Sequence, residues 1–267
     1  MERIYMVMCI LNALWFVGCL GPRGPVGVSG PAGIDGHTGE LGKKVVRGDI
    51  AILRMSLLEL KRSYNANVEG FDLQKGNINT KVLFEHNMFG NRFKLDNPDN
   101  KRNDFYASLK YDIADIKIVE QIIKDFAVGS LRGQVDGTLQ SDALSLLPIL
   151  SDSSWFVRQV ISLLEAELAT LQQSNDVAGI SEINVMLMMM LRLRESVIDD
   201  VKEKLKSAEP FLSPNIIDFL GVRAILNPMI LAGGKVRAKI YGTNMTLRSL
   251  KNAIEEKINE LKRALVP

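Results

Sequence analysis

A chain of 267 residues with 46% hydrophobic and 24% charged residues is long enough for one or two globular domains. The formal net charge is +2, and no stretch interleaves basic with aromatic residues, so we expect no nucleic-acid binding. The two cysteines, Cys9 and Cys19, lie in the apolar N-terminal stretch, and the two histidines are His37 and His86. Because zinc sites and activated nucleophiles depend on these residue types, we expect no enzyme, no metal and no cofactor.

The first 20 residues predict export. A weakly positive start is followed by an uncharged apolar run over residues 4–20. This run is somewhat long for the core of a signal peptide and lies at the lower limit for a membrane-spanning helix. We therefore predict a signal peptide or signal anchor over residues 1–20, and a secreted or cell-surface protein that is membrane-anchored if the segment is retained. The alternative is a buried helix of a soluble protein.

Residues 21–44 read GPRGPVGVSGPAGIDGHTGELGKK, with glycine at every third position. The eight glycines are Gly21, Gly24, Gly27, Gly30, Gly33, Gly36, Gly39 and Gly42. Three polyproline-II chains can wind into a triple helix only if glycine occupies each crowded axial position, so a strict period of three predicts this assembly. The stretch resembles collagen-like stalk proteins, over these residues only, and the resemblance implies a homotrimer. The competing interpretation is a flexible glycine-rich linker.

The prolines inside the repeat indicate how stable such a stalk would be. Pro22, Pro25 and Pro31 each follow a glycine directly, and the third position of the triplet never holds proline. This pattern is similar to bacterial or viral collagen-like segments, or to a degenerate animal one. Three proline-containing triplets do not hold a triple helix alone, so a stalk of roughly 70 Å would need a trimerising neighbour.

Residues 47–64 predict a helical neck that could be this neighbour. Apolar residues spaced by 3, 4, 3 and 4 form a coiled-coil a/d stripe, namely Ile50, Leu53, Leu57, Leu60 and Tyr64. Ile52, Met55 and Leu58 broaden the apolar surface, so the alternative is an ordinary amphipathic helix packed on the body. The layout is similar to that of collectins, but the chain lacks their disulfide-bearing head, so carbohydrate and calcium binding are not implied.

Arg47, Gly48 and Asp49 spell the integrin-recognition tripeptide at the start of this predicted neck. Such a short string often arises by chance. The motif is also more useful in a mobile loop than beside a helix start, which Asp49 is expected to cap. Integrin binding is therefore one hypothesis, and a chance occurrence is the other.

The remainder of the chain predicts an α+β head. Residues 65–140 alternate apolar and polar residues over short spans broken by Gly70, Gly76 and Gly90, which indicates a β-rich region. The segment IKIVEQIIKDFAV within it fits a strand or a short helix. Residues 141–267 predict mainly helices, with one strand in KVRAKIYG and a C-terminal amphipathic helix.

Two further features of the head suggest sites. A methionine cluster that includes Met186, Met189 and Met190 predicts either an adaptable apolar groove, in which lipid is a candidate ligand, or plastic core filling. Asn244 begins the sequon Asn-Met-Thr, which is glycosylated only if the chain enters a eukaryotic secretory pathway.

These features together predict an exported, trimeric, collagen-stalked structural or adhesion protein. Its α+β head would bind an unknown cell-surface or matrix protein, and three heads on one stalk would raise avidity without new contacts. One alternative is a virion or phage spike or fibre component. Another is a secreted carrier that encloses an apolar ligand in the head.

Overall fold

The computed structural model describes residues 38–91, 93–94, 101–128, 130–131, 134–135, 137–213 and 216–265. Its helices are α1 (Thr38–Tyr64), α2 (Val68–Gln74), α3 (Thr80–Phe84), α4 (Arg102–Ser108), α5 (Ile113–Val128), α6 (Gly137–Leu171), α7 (Val177–Ala208), α8 (Phe219–Ile230), α9 (Lys235–Tyr241) and α10 (Leu247–Arg263). Two antiparallel pairs of two-residue strands complete these elements: β1 (Ser130–Leu131) with β2 (Gln134–Val135), and β3 (Leu212–Ser213) with β4 (Ile216–Ile217).

The predicted β-rich region over residues 65–140 is wrong, and so is the α+β fold class, because the described part of the chain is about 83% helical. Helices α2 to α5 occupy this region. Three of them have seven residues or fewer, too short to show a helical period, and apolar alternation over such spans resembles a strand. Local capping shows the helical state instead: the Asn79 side chain accepts a hydrogen bond from the Val82 amide at the start of α3.

Helices dominate the second half of the head, as predicted, with one exception. The segment KVRAKIYG, expected as a strand, forms helix α9, and its buried side chains Val236 and Ile240 lie one helical turn apart. The C-terminal amphipathic helix is present as α10. Its buried stripe comprises Leu247, Leu250, Ile254, Ile258 and Leu261.

The two longest helices, α6 and α7, organise the core. Helices α4, α5, α8, α9 and α10 all contact α6, and α5, α8, α9 and α10 also contact α7. The apolar side chains of these elements form one continuous buried cluster, which includes α1 from Ile50 onwards. The head is therefore a helical body built around a central antiparallel pair.

One stretch among the described residues, Phe219–Tyr241, has the length and mean hydropathy of a membrane-spanning helix. In the fold it consists of two helices, α8 and α9, separated by residues 231–234. At this break the Gly234 backbone lies against the carbonyl of Pro228, where a Cβ would approach to 2.3 Å. Val222 and Ile240 are buried, so some of the apolar side chains of this stretch belong to the helical core.

Helix α1 begins at Thr38, inside the predicted stalk, and includes Gly39 and Gly42. The physical reason is the composition of the last triplets. All three repeat prolines precede residue 32, whereas Glu40, Leu41 and the two lysines that follow Gly42 are good helix formers. The predicted boundary between stalk and helix therefore moves from residue 44 to before residue 38. The predicted leader (1–20) and the first six repeat glycines (21–36) lie outside the described residues.

Candidate functional site

Helix α1 packs on the head through one face. The side chains predicted as coiled-coil a/d positions are buried in the core of their own chain, and we call them the inner stripe: Ile50, Leu53, Leu57, Leu60 and Tyr64. They are therefore not available as a seam between chains. The arrangement is that of the alternative interpretation, an amphipathic helix packed on the body.

Polar contacts align α1 with α7. The Ser56 hydroxyl donates a hydrogen bond to Oδ1 of Asn184 at 2.7 Å, and Nε of Arg194 donates to the Ser63 hydroxyl at 3.0 Å. Because later residues of α1 contact later residues of α7, the two helices run in the same direction. Both serines lie beside the inner stripe, where their hydroxyls are partnered rather than solvated.

A buried carboxylate holds the end of α1. Asp104 of α4 is fully buried, and Arg158 of α6 donates to its two oxygens at 2.8 and 2.9 Å. The Tyr64 hydroxyl donates to Oδ1 of the same carboxylate at 2.9 Å. Burial, and secondarily the negative charge of Asp104, raise the pKa of Tyr64 well above its usual range. These contacts join α1, α4 and α6 through charge-assisted hydrogen bonds.

A buried guanidinium joins α1 to α7. Arg194 of α7 donates to Ser63, to the Ser154 hydroxyl at 2.7 Å and to the Ala107 carbonyl at 2.7 Å. Burial lowers the pKa of Arg194 to about 10, although the charge of Glu195 acts in the opposite direction. Since all three guanidinium nitrogens donate within the chain, this cluster is suited to fixing helices and not to acting on a substrate.

Sequence reasoning missed this buried polar cluster, although α7 carries a signal for it. Leu187, Met190, Val197 and Val201 are buried on one face of the helix, and Arg194 occupies the helical position between the second and third of them. A charged residue that falls in the register of an apolar stripe is buried with that stripe. It then needs internal partners such as those described above.

The opposite face of α1 is exposed and also apolar. Ala51, Met55 and Leu58, followed by Arg62, recur at spacings of 4, 3 and 4, and we call these four residues the outer stripe. Met55 is 64% and Leu58 60% exposed, and Ile52 beside them is 49% exposed. At 100° per residue the centres of the two stripes lie about 150° apart. From the sequence alone, Ile52, Met55 and Leu58 are expected only to broaden the apolar surface of the predicted neck.

Charged residues flank the outer stripe on both sides. Arg54 lies on one flank and Glu59 on the other, and both side chains are exposed. Within the described residues neither of them forms an ion pair. An exposed apolar stripe with opposite charges on its two flanks is typical of a helix that contacts other helices.

The predicted methionine groove is only partly present. A surface groove of about 590 Å³ between α7 and α10 is lined by Met186, together with Val185 and Ala253. Met190 is buried in the core, and Met189 packs against the core, so neither of them lines this groove. The rim residue Lys257 forms ion pairs with Glu182 and Glu260, both at 2.8 Å. The cluster therefore serves mainly as core filling.

The other two predicted sites are the tripeptide and the sequon. The tripeptide from Arg47 to Asp49 is part of helix α1 and not of a loop, so Asp49 does not cap this helix. Integrin binding stays a prediction, with a helical conformation in place of the loop the motif favours. Asn244 is exposed in the turn between α9 and α10, and the Thr246 hydroxyl of its sequon caps α10 by accepting a hydrogen bond from the Ser249 amide.

Within the described ranges, no group of three or more histidine, cysteine, aspartate or glutamate residues is arranged to hold a metal ion. Comparisons with protein families, with curated protein sequences and with solved structures find no match. The outer stripe of α1 is thus the candidate functional site, on the strength of its exposure, its regular spacing and its flanking charges.

Proposed function

We propose that the protein is an exported homotrimer in which a short Gly-X-Y stalk carries three helical heads for multivalent attachment to a surface. The observation that carries this proposal is the strict period of glycine over residues 21–44. Few structures other than the triple helix require glycine at every third position, because only there does each chain cross a common axis. The head in this proposal is helical, and not the α+β unit expected from the sequence.

The stalk in this proposal is shorter than the repeat itself. Helix α1 occupies the chain from Thr38, which leaves residues 21–37 for a triple helix. At about 3 Å per residue this segment would be roughly 50 Å long. A stalk of this length with three prolines per chain is weak, so contacts between the heads would have to support it.

The arrangement of the polar groups in the head supports a role in attachment rather than in catalysis. The most deeply buried ionic groups, Asp104 and Arg194, are satisfied by partners in the same chain. They fix helices in place, and these contacts occupy both groups, so neither is available to act on a substrate. With three heads on one stalk, even weak individual contacts to a cell-surface or matrix protein would give strong attachment. The gain in avidity can reach about 10² to 10⁴.

The trimer is tested with the full chain and one matched pair of variants. Sedimentation gives the oligomeric mass, and circular dichroism during a thermal ramp follows the triple helix. We expect a trimer with a low-temperature transition that Gly30→Ala weakens or abolishes, because a Cβ at the axis disrupts the winding. Ser29→Ala, at the neighbouring third position of its triplet, should leave the transition unchanged. A monomer at low temperature would refute the proposal.

Multivalency is tested by retention on cells or on immobilised matrix. We expect the unaltered chain to be retained more strongly than the Gly30→Ala variant, by at least about 10²-fold in apparent affinity. The Ser29→Ala variant should bind like the unaltered chain. Equal retention of all three would show that attachment does not depend on the trimer.

A further inference from the structure

We propose that the outer stripe of α1 is the surface through which three copies of this chain contact one another. The inference rests on the proposed trimer and specifies its contact. Ala51, Met55 and Leu58 of each copy would meet at a common axis in a short parallel coiled coil. This seam is different from the one that the sequence predicted, since the inner stripe is consumed by the fold of the head.

The heptad register fits three heads around such an axis. With Met55 at position a, Ala51 and Leu58 fall at position d, which are the seam positions of a coiled coil. The inner stripe then occupies positions c and f, on the back of the helix. Because the head packs on that back face, it lies away from the axis, and three heads can surround the seam without entering it.

The flanking charges fall at the pairing positions of the same register. Arg54 takes position g and Glu59 takes position e, five residues further along. In a parallel coiled coil the g residue of one helix pairs with the e residue of the next heptad on its neighbour. Within one helix, residues five apart are separated by about 140° and do not face each other. The charges are therefore complementary between copies.

The sequence indicates that the partner of the outer stripe is another copy of the same chain. The Gly-X-Y repeat immediately precedes α1, and a triple helix holds three copies at the point where α1 begins. The seam is short, because the preceding a position is Gly48 and the following one is Arg62. Neither the seam nor the stalk is expected to be stable alone. Formation of the stalk would raise the local concentration of α1 helices for the seam, and formation of the seam would do the same for the stalk segments.

The apolar part of the seam is tested with a matched pair of lysine substitutions in the full chain. Leu58→Lys places a charge on the proposed axis, and Leu73→Lys places one on α2, where the leucine is 88% exposed. We expect Leu58→Lys to raise the concentration needed for half-assembly at least about tenfold and to lower the triple-helix transition temperature. Leu73→Lys should change neither. Helical content should be equal in both variants.

The register is tested with a charge swap. Arg54→Glu and Glu59→Arg each place like charges opposite one another across the seam, so each should weaken the trimer. The double variant restores opposite charges and should assemble like the unaltered chain. Since residues 54 and 59 do not face each other within a helix, such a rescue requires contact between copies. Additive loss in the double variant would overturn the register.

The outcomes separate this inference from the proposed function. A trimer that Gly30→Ala dissociates but Leu58→Lys does not affect would refute the seam and leave the stalked trimer in place. Equal effects of Leu58→Lys and Leu73→Lys would also refute the seam. A full chain that is monomeric at low temperature would refute both.

Discussion

The two faces of helix α1 have similar composition and opposite roles. Leu57 is buried in the head, and Leu58, the next residue, is largely exposed. Hydrophobicity alone does not distinguish them. The face that packs on the head also carries Ser56 and Ser63, whose hydroxyls meet partners on α7. A polar residue with a matching partner elsewhere in the chain therefore identifies the inner face better than the apolar pattern does.

The largest loss of stability is expected when the Asp104 carboxylate, which anchors the inner face of α1, is removed. Asp104→Ala should lower the free energy of unfolding by about 3–5 kcal/mol, because the Tyr64 hydroxyl loses its acceptor inside the core and the partly exposed Arg158 guanidinium loses its two-point ion pair. Urea denaturation followed by circular dichroism measures the loss. Asp199→Ala, at an exposed position on α7, is the control and should change the free energy by less than about 0.5 kcal/mol. A small loss for Asp104→Ala would mean that apolar packing alone fixes α1.

A leucine from each face gives the most direct comparison. Leu60→Ala should cost about 2–5 kcal/mol, since its side chain is fully buried, whereas Leu58→Ala should cost almost nothing within one head. Urea denaturation at low protein concentration, above the triple-helix transition, separates head stability from assembly. If the two variants lose similar amounts of free energy, the faces have been assigned incorrectly.

The contacts of the inner face should also affect stability at alkaline pH through Tyr111, whose hydroxyl donates to Asn103, which in turn donates to the Tyr64 hydroxyl. Burial raises the pKa of this phenol from 10.0 to about 12, partly opposed by its hydrogen bond to Asn103. The unfolded chain therefore releases the proton first as the pH rises past 10. Stability should be complete below pH 10 and fall by about 3 kcal/mol towards pH 12.

Denaturant midpoints at pH 9.5 and 11.5 measure this loss, and absorbance of tyrosinate follows the titration itself. Tyr111→Phe removes the ionisable group and should reduce the difference in unfolding free energy between the two pH values. An unchanged difference in this variant would assign the alkaline loss to other groups, such as Tyr106, whose pKa burial also raises to about 12.

Sequence reasoning succeeded where the signal was long and periodic. The apolar stripe of α10 spans more than four turns, and the sequence predicted this C-terminal amphipathic helix. It failed over residues 65–140, because helices of five to seven residues show too little of their own period: α3 is fixed by the Asn79 cap and by contacts with α5, and α4 by contacts with α6. For α1 the helix itself was predictable. Two apolar stripes with heptad spacing compete there, and only the tertiary partners Asn184 and Arg194 decide which one faces inwards.

The smallest expected effect lies at the edge between the two faces. Lys61 forms an ion pair with Glu165 of α6, and both side chains are nearly half exposed. Solvent and salt screen such a pair, so Lys61→Met, which keeps most of the aliphatic stem, should change the free energy of unfolding by less than about 1 kcal/mol. Urea denaturation at low and high salt measures this contribution, which should vanish at high salt. A larger and salt-independent loss would mean that the inner face extends to Lys61, and the exposed surface available to neighbouring copies would be correspondingly narrower.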